Sequence, residues 1–219
     1  MIEKINFDLF GFELLEPMAF ITNSLVTLVC LFGTIQSKRL NLTVWRFFFT
    51  TFAIASFSGA LSHVFWNYWG FNGKIIPWLF GVISSGLLVE AMIKQFHFKV
   101  KTVQILRASI FLKGIGILFF AFSYWNFLFV AIDTIFSLFI ACGIGTLLLY
   151  FHYQRKELYF MLVGFLVMLP SAAIFLLKLD LHLWLNREDL SHLFIAAGLF
   201  FFVLNLPNIA LKKPDKNLV

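Results

Sequence analysis

Seven stretches of this 219-residue chain are each apolar over about the thickness of a membrane: 17–36, 45–66, 75–93, 103–123, 126–150, 158–177 and 190–211. A hydrocarbon core of about 30 Å is crossed by about 20 residues of α-helix. In lipid the backbone must satisfy its own hydrogen bonds, so such a run is a helix unless it alternates as a barrel strand does, and these runs do not alternate. The expected fold is all-α: a polytopic membrane protein, a seven-transmembrane-helix bundle, with residues 1–219 as a single domain. Composition agrees. The chain is 61% hydrophobic and 13% charged, whereas a soluble domain is about half apolar and a quarter charged. No basic segment followed by a small-residue cleavage site precedes a run, so no removable signal peptide is expected. Cys30 and Cys142 both lie inside apolar runs and read as small core hydrophobes rather than as a disulfide or a metal site.

The distribution of Lys and Arg gives the direction. Of 17 basic residues, 12 fall on one side of the seven runs: Lys38, Arg39 and Arg46; Lys94, Lys99, Lys101 and Arg107; Arg155 and Lys156; Lys212, Lys213 and Lys216. Only Lys4, Lys74, Lys178 and Arg187 fall on the other, and Lys113 lies inside a span. The basic side is expected to be cytoplasmic, which places the N-terminus outside and the C-terminus in the cytoplasm. Trp66, Trp69, Trp78, Trp125 and Trp184 then fall at the outer boundary, as an interfacial belt does. The net charge of +6 is explained by orientation and anionic headgroups. Membrane lipid is therefore the expected partner, nucleic acid is not, and no oligomeric state is implied. The expected location is a bacterial inner (plasma) membrane.

Several polar side chains share the outer layer of such a bundle. Glu16 opens the first run, His63 ends the second, and Glu188, Asp189 and His192 open the seventh. Residues distant in sequence that reach one depth can build a site in a bundle core. Glu188 and His192 are four apart, so they share a helix face. With His63 as a third ligand they could grip a divalent ion, and zinc accepts imidazole and carboxylate. The competing reading is an ordinary helix N-terminus. In that reading Asn186 or Asp189 caps, Glu188 suits the positive end of the dipole, and His192 is interfacial. Thr22 and Asn23 read as interhelical hydrogen-bonding groups, or as support around Glu16.

The segments "EPMAFITN" on the first helix, "GALSH" ending at His63 and "EDLSH" ending at His192 resemble the CREST superfamily of seven-helix membrane hydrolases, which includes the alkaline ceramidases and adiponectin-receptor-like proteins. In that superfamily a Ser-x-x-x-His pattern on helix 2 and a His-x-x-x-His pattern on helix 7 supply three zinc ligands. The resemblance implies a zinc cofactor held by His63, Glu188 and His192. It also implies a lipid amide or ester substrate, attacked by metal-bound water, with Ser58 or Ser62 at the oxyanion. This chain departs from the pattern in having Gly59 at the serine position and Glu188 at the first histidine of the last motif. It also lacks the ceramidases' acid after the helix 2 histidine, where Lys74 lies nearby, and their N-terminal calcium cluster.

Two charges lie deep in the membrane. Lys113 in the fourth run and Asp133 in the fifth fall within about a turn of the same depth, across a short link. A lone charge there is costly, so pairing is expected. The pair reads as a structural tie or, more sharply, as an ion or proton relay. Glu90, near the inner end of the third run, is expected to snorkel or to meet the basic inner loop. The sequence therefore points first to a zinc-dependent lipid hydrolase. The alternatives are a non-catalytic seven-helix receptor or ligand-binding protein, and a small transporter using Lys113 and Asp133. A retinal pigment is not expected, because the seventh run has no interior lysine.

Overall fold

A computed structural model describes residues 5–211 and contains seven helices long and apolar enough to cross a membrane. We label them α1 (Pro17–Arg39), α2 (Thr43–Val64), α3 (Ile75–Ile93), α4 (Val100–Ser123), α5 (Leu128–Phe151), α6 (Tyr159–Leu176) and α7 (Arg187–Leu211). Each of the seven apolar runs in the sequence corresponds to one of them. The tail holding Lys212, Lys213 and Lys216 lies outside the described residues, as does Lys4.

The chain also makes one element that the sequence pattern did not announce. Strands β1 (Asn6–Leu9) and β2 (Phe12–Leu15) form an antiparallel hairpin before α1. Its two-residue turn, Phe10–Gly11, has positive φ at both positions, as a hairpin turn matching strand twist requires. Leu14 and Leu15 are buried, the Glu13 amide donates to the Tyr68 hydroxyl at 3.0 Å, and the Phe12 ring meets Tyr68 edge-on. The hairpin thus rests on the short helix Trp66–Trp69, beside the ends of α1 and α2.

Helices α1, α2, α6 and α7 carry most of the core, with α3 against α2. Helices α6 and α7 meet backbone to backbone where Gly164 faces Gly198. A Cβ on Gly164 would lie 2.7 Å from the Gly198 carbonyl oxygen, the small-residue contact that lets membrane helices approach. The outward faces are apolar, with Leu28, Phe111 and Phe119 among the exposed side chains. Helix α4 is peripheral, and Ala121 is its only buried residue. An apolar cluster holds its C-terminal end, where Ile117, Leu118, Ala121 and Phe122 pack with Trp78, Val82 and Val130, and polar contacts hold the rest. Arg107 binds Glu90 through Nε at 3.1 Å to each carboxylate oxygen and Nη2 at 2.6 Å, and Lys113 Nζ lies 2.6 Å from Asp133 Oδ1. The expected deep pair is therefore formed. Lys113 also donates to Ser137 at 2.7 Å, and the Ser85 hydroxyl donates to Asp133, which ties α3, α4 and α5 at one level. Cys30 and Cys142 are fully buried in the core.

Helix α5 is not regular throughout. Residues Phe139–Gly145 form a π-helical segment, an insertion common at functional sites. Within it Gly143 admits the Phe165 ring, which a Cβ would meet at 2.8 Å.

Candidate functional site: an acid–histidine layer over an apolar cavity

The hairpin end of the bundle brings together residues from three helices. Glu16 precedes Pro17, the first residue of α1, with φ +49°, a left-handed conformation uncommon outside glycine. Its amide is tied to the Ile5 carbonyl at 3.1 Å. Such strain persists where surrounding contacts fix it, and it concentrates at functional positions. Here it aims the carboxylate at α2: His63 Nδ1 donates to Glu16 Oε2 at 2.8 Å. The opposite ring nitrogen, Nε2, lies 3.6 Å from Glu188 Oε2 on α7. Glu16, His63 and Glu188 thus form a chain across three helices, as their shared depth in the sequence suggested.

The start of α7 is a reciprocal cap. Asn186 Oδ1 accepts from the amides of Glu188 (2.8 Å) and Asp189 (3.1 Å), and Asp189 Oδ2 accepts from the Asn186 amide at 3.1 Å. Asp189 is buried and does this local work, while Arg187 clamps Asp180 at 2.8 Å. The capping reading of this stretch is therefore correct for Asn186 and Asp189, whereas Glu188 and His192 line a cavity, Glu188 at its mouth.

His192 meets α1. Asn23 donates through Nδ2 to His192 Nδ1 at 3.2 Å and to the Ala19 carbonyl at 2.9 Å, and Thr22 Oγ1 lies 3.3 Å from the same ring nitrogen. An amide N–H can only donate, so Nδ1 is the acceptor and the proton of the neutral ring sits on Nε2. Thr22 and Asn23 therefore support His192 and not Glu16.

His63, Glu188 and His192 all line one cavity of about 430 Å³. Its walls descend past Trp78, Gly81 and Met168 to Phe48, Leu88 and Phe202. At about 1.5 Å per residue, Phe48 lies about 22 Å below His63 along α2, and Phe202 about 15 Å below His192 along α7. These floor residues belong to the packed core, so the deep end is closed. Trp78 is buried on this wall and is not part of an interfacial belt. Gly59 lines the cavity beside Asn23, where a Cβ would come 3.5 Å from Asn23 Oδ1. At the hairpin end the cavity meets a vestibule of about 680 Å³, with Glu16, Glu188 and Asp189 on its wall.

The two serines expected at an oxyanion are both turned onto their own helix. Ser58 donates to the Ile54 carbonyl at 2.6 Å and is not on the cavity wall; Ser62 is on the wall but donates to the Gly59 carbonyl at 2.8 Å. Of the side chains suggested as zinc ligands, His63 and Glu188 lie near each other. The His63–Glu188 separation of 3.6 Å suits two ligands of one cation at about 2 Å each. His192, however, spends Nδ1 on α1 and carries its proton on Nε2. Among the described residues no three His, Cys, Asp or Glu side chains converge as metal ligands. The residues as placed do not complete the site, and no step below is routed through a metal.

The architecture is that of a seven-helix bundle with a polar layer roofing a deep apolar cavity. By sequence the chain belongs to a family of unknown function, DUF6962, whose family model matches residues 18–210 and so spans all seven helices and every residue of this layer except Glu16. No curated protein matches the chain.

Proposed function

We propose that the protein is an integral membrane protein that binds a single-chain amphiphile, with the chain in the apolar cavity and the polar head at Glu16, His63 and Glu188. The observation that carries this reading is continuity: His63, Glu188 and His192 line the same cavity as the aromatic floor, and Glu16 is bonded to His63 at its rim. A volume of about 430 Å³ lies within the range of small-molecule sites, which combine apolar walls with a few placed polar groups. Native mass spectrometry of detergent-purified protein tests it. Bound fatty acid, added or co-purified, is expected in the wild type. It should be lost from Leu88→Trp, which fills the cavity, and weakened in His63→Ala, which removes the head contact. Equal occupancy in Leu88→Trp would refute the reading.

A second reading adds hydrolysis of an ester or amide in that ligand, and the Glu16–His63 bond favours it. A carboxylate on Nδ1 orients the ring and leaves Nε2 as a base toward the cavity, while His192 Nε2–H is a donor. Water would give its proton to His63 Nε2 as its oxygen attacks the carbonyl carbon, and His192 would donate to the developing oxyanion. As that intermediate collapses, the His63 imidazolium would pass the proton to the departing alcohol or amine while its bond to the carbonyl carbon breaks. General base catalysis contributes about 10²–10⁴-fold. His63→Ala should therefore cut turnover of a fluorogenic lipid ester by at least about 100-fold. Unchanged turnover in His63→Ala would eliminate this step. Zinc is tested alongside by metal analysis: stoichiometric zinc lost in both His63→Ala and Glu188→Ala would restore it.

The reading places the acid–histidine layer at the outer face of a plasma membrane, with the basic loops in the cytoplasm, because Lys and Arg concentrate at the opposite end. A cysteine introduced at Asn41, between α1 and α2, is expected to resist an impermeant thiol reagent applied from outside. Rapid labelling there would invert the topology.

A further inference from the structure

We infer that the cavity is loaded sideways from the bilayer, through a slot between α5 and α6, so that its occupant is a bilayer-resident chain and not a solute from water. This rests on the amphiphile-binding reading above.

Three independent features define the slot. First, the Leu128–Leu138 half of α5 makes no substantial close approach to α6, and their close contacts begin at the π-helical segment Phe139–Gly145. There Gly143 lets the Phe165 ring sit against the α5 backbone. The extra backbone of a π segment re-aims the helix beyond it, and here the two helices part above it. Second, aromatic pairs bracket the gap. Phe127 meets Phe175 edge-on at the hairpin end, with centroids 5.6 Å apart, and Phe139 meets Phe165 below at 6.0 Å. Third, the residues between the brackets, including Ile135, Leu138 and Ala172, line the cavity. Below the mouth, only two described cavity-lining residues are also well exposed on the outside of the bundle: Phe139 (49%) and Leu169 (41%), one on each side of the slot. A side chain that is both cavity wall and outer surface marks a thin place. The neighbouring α6–α7 seam is the opposite case, closed by backbone contact at Gly164 and Gly198.

An extended chain suits this slot. Its tail can slide between Phe139 and Leu169 while its head stays near the membrane surface, level with the acid–histidine layer. No charged side chain lines the cavity below that layer, so the chain meets no charge on the way in.

The test uses the full chain reconstituted in phosphatidylcholine vesicles containing a photoreactive diazirine fatty acid, with labelled positions read by mass spectrometry. Wild-type protein should be labelled at the cavity floor, around Phe48 and Phe202, which a lipid on the outer surface does not reach. Ala172→Trp should slow floor labelling severalfold at early times, and Phe139→Ala should speed it. Ala173→Trp, on the exposed face of α6, should leave the rate unchanged. If Ala172→Trp loads at the wild-type rate and Phe139→Ala is no faster, the slot is not the route, although the cavity still binds. If wild-type protein is never labelled at the floor, the amphiphile reading fails and this inference fails with it. Phe139→Ala leaves the slot testable should Ala172→Trp not fold.

Discussion

Replacing Lys113 by alanine is expected to destabilise the protein by about 3–5 kcal/mol, the cost of leaving one member of a buried ion pair without its partner. Asp133 has a fully buried side chain and lies 2.6 Å from Lys113. Deep in a membrane bundle, water cannot take over that role. Asp133→Ala should cost a similar amount. The double variant should cost clearly less than the sum, because it removes both charges together. The Glu90–Arg107 pair makes a useful contrast. It also anchors α4, but to α3 instead of α5, and the Arg107 side chain is 54% exposed; an exposed pair contributes about 0–1 kcal/mol. Glu90→Gln should therefore matter far less. Since α4 has one buried residue, Lys113→Ala should also loosen α4 selectively, seen as faster cysteine labelling along Val100–Ser123. Additive single effects in detergent unfolding would show that Lys113 and Asp133 do not act as a pair.

What the sequence revealed follows from which forces are local. Apolar run length is set by the bilayer, so all seven helices are legible in hydropathy, and the apolar run 75–93 coincides with α3 at both ends. The apolar run of α7 begins three residues after the helix does, because its first turn is polar and is fixed by the Asn186–Asp189 cap and not by hydrophobicity. The hairpin was hidden by its turn. Phe10 holds a left-handed conformation that Asn or Asp would normally announce. The π segment left only Gly143 and Gly145 as a trace, and glycine is common in membrane helices. Depth counting brought Glu16, His63, Glu188 and His192 to one layer, since rise per residue is fixed. Which of them would touch was not legible. That depends on helix rotation and on the left-handed turn at Glu16, which gives His63 to Glu16 and leaves His192 to Thr22 and Asn23.

Helix rotation and spacing also make Gly198 the position where a small change should do the most damage. A Cβ there would lie 2.3 Å from Met168 Cγ and 2.6 Å from the Gly164 carbonyl oxygen. The Met168 side chain can move aside, but the carbonyl belongs to the α6 backbone and cannot. Even Gly198→Ala must therefore push α6 and α7 apart, at about 1–3 kcal/mol for an overpacked interior, and Gly198→Val should prevent the native crossing. Gly116 on α4 supplies the control. It has nothing within 4 Å of an added Cβ, so Gly116→Ala should be neutral or stabilising by up to about 1 kcal/mol, the helix-propensity gain. The consequence of Gly198→Ala should reach the site as well. Helix α7 carries Glu188 at 3.6 Å from His63 and His192 within hydrogen-bonding distance of Asn23. Displacing α7 by a few tenths of an ångström or more lengthens both contacts, so Gly198→Ala should weaken fatty-acid binding although Gly198 is not on the cavity wall. Unfolding and native mass spectrometry on the same samples give the two readouts. A Gly198→Ala protein as stable as wild type, with full binding, would mean that the α6–α7 crossing is looser than the Gly164–Gly198 contact requires.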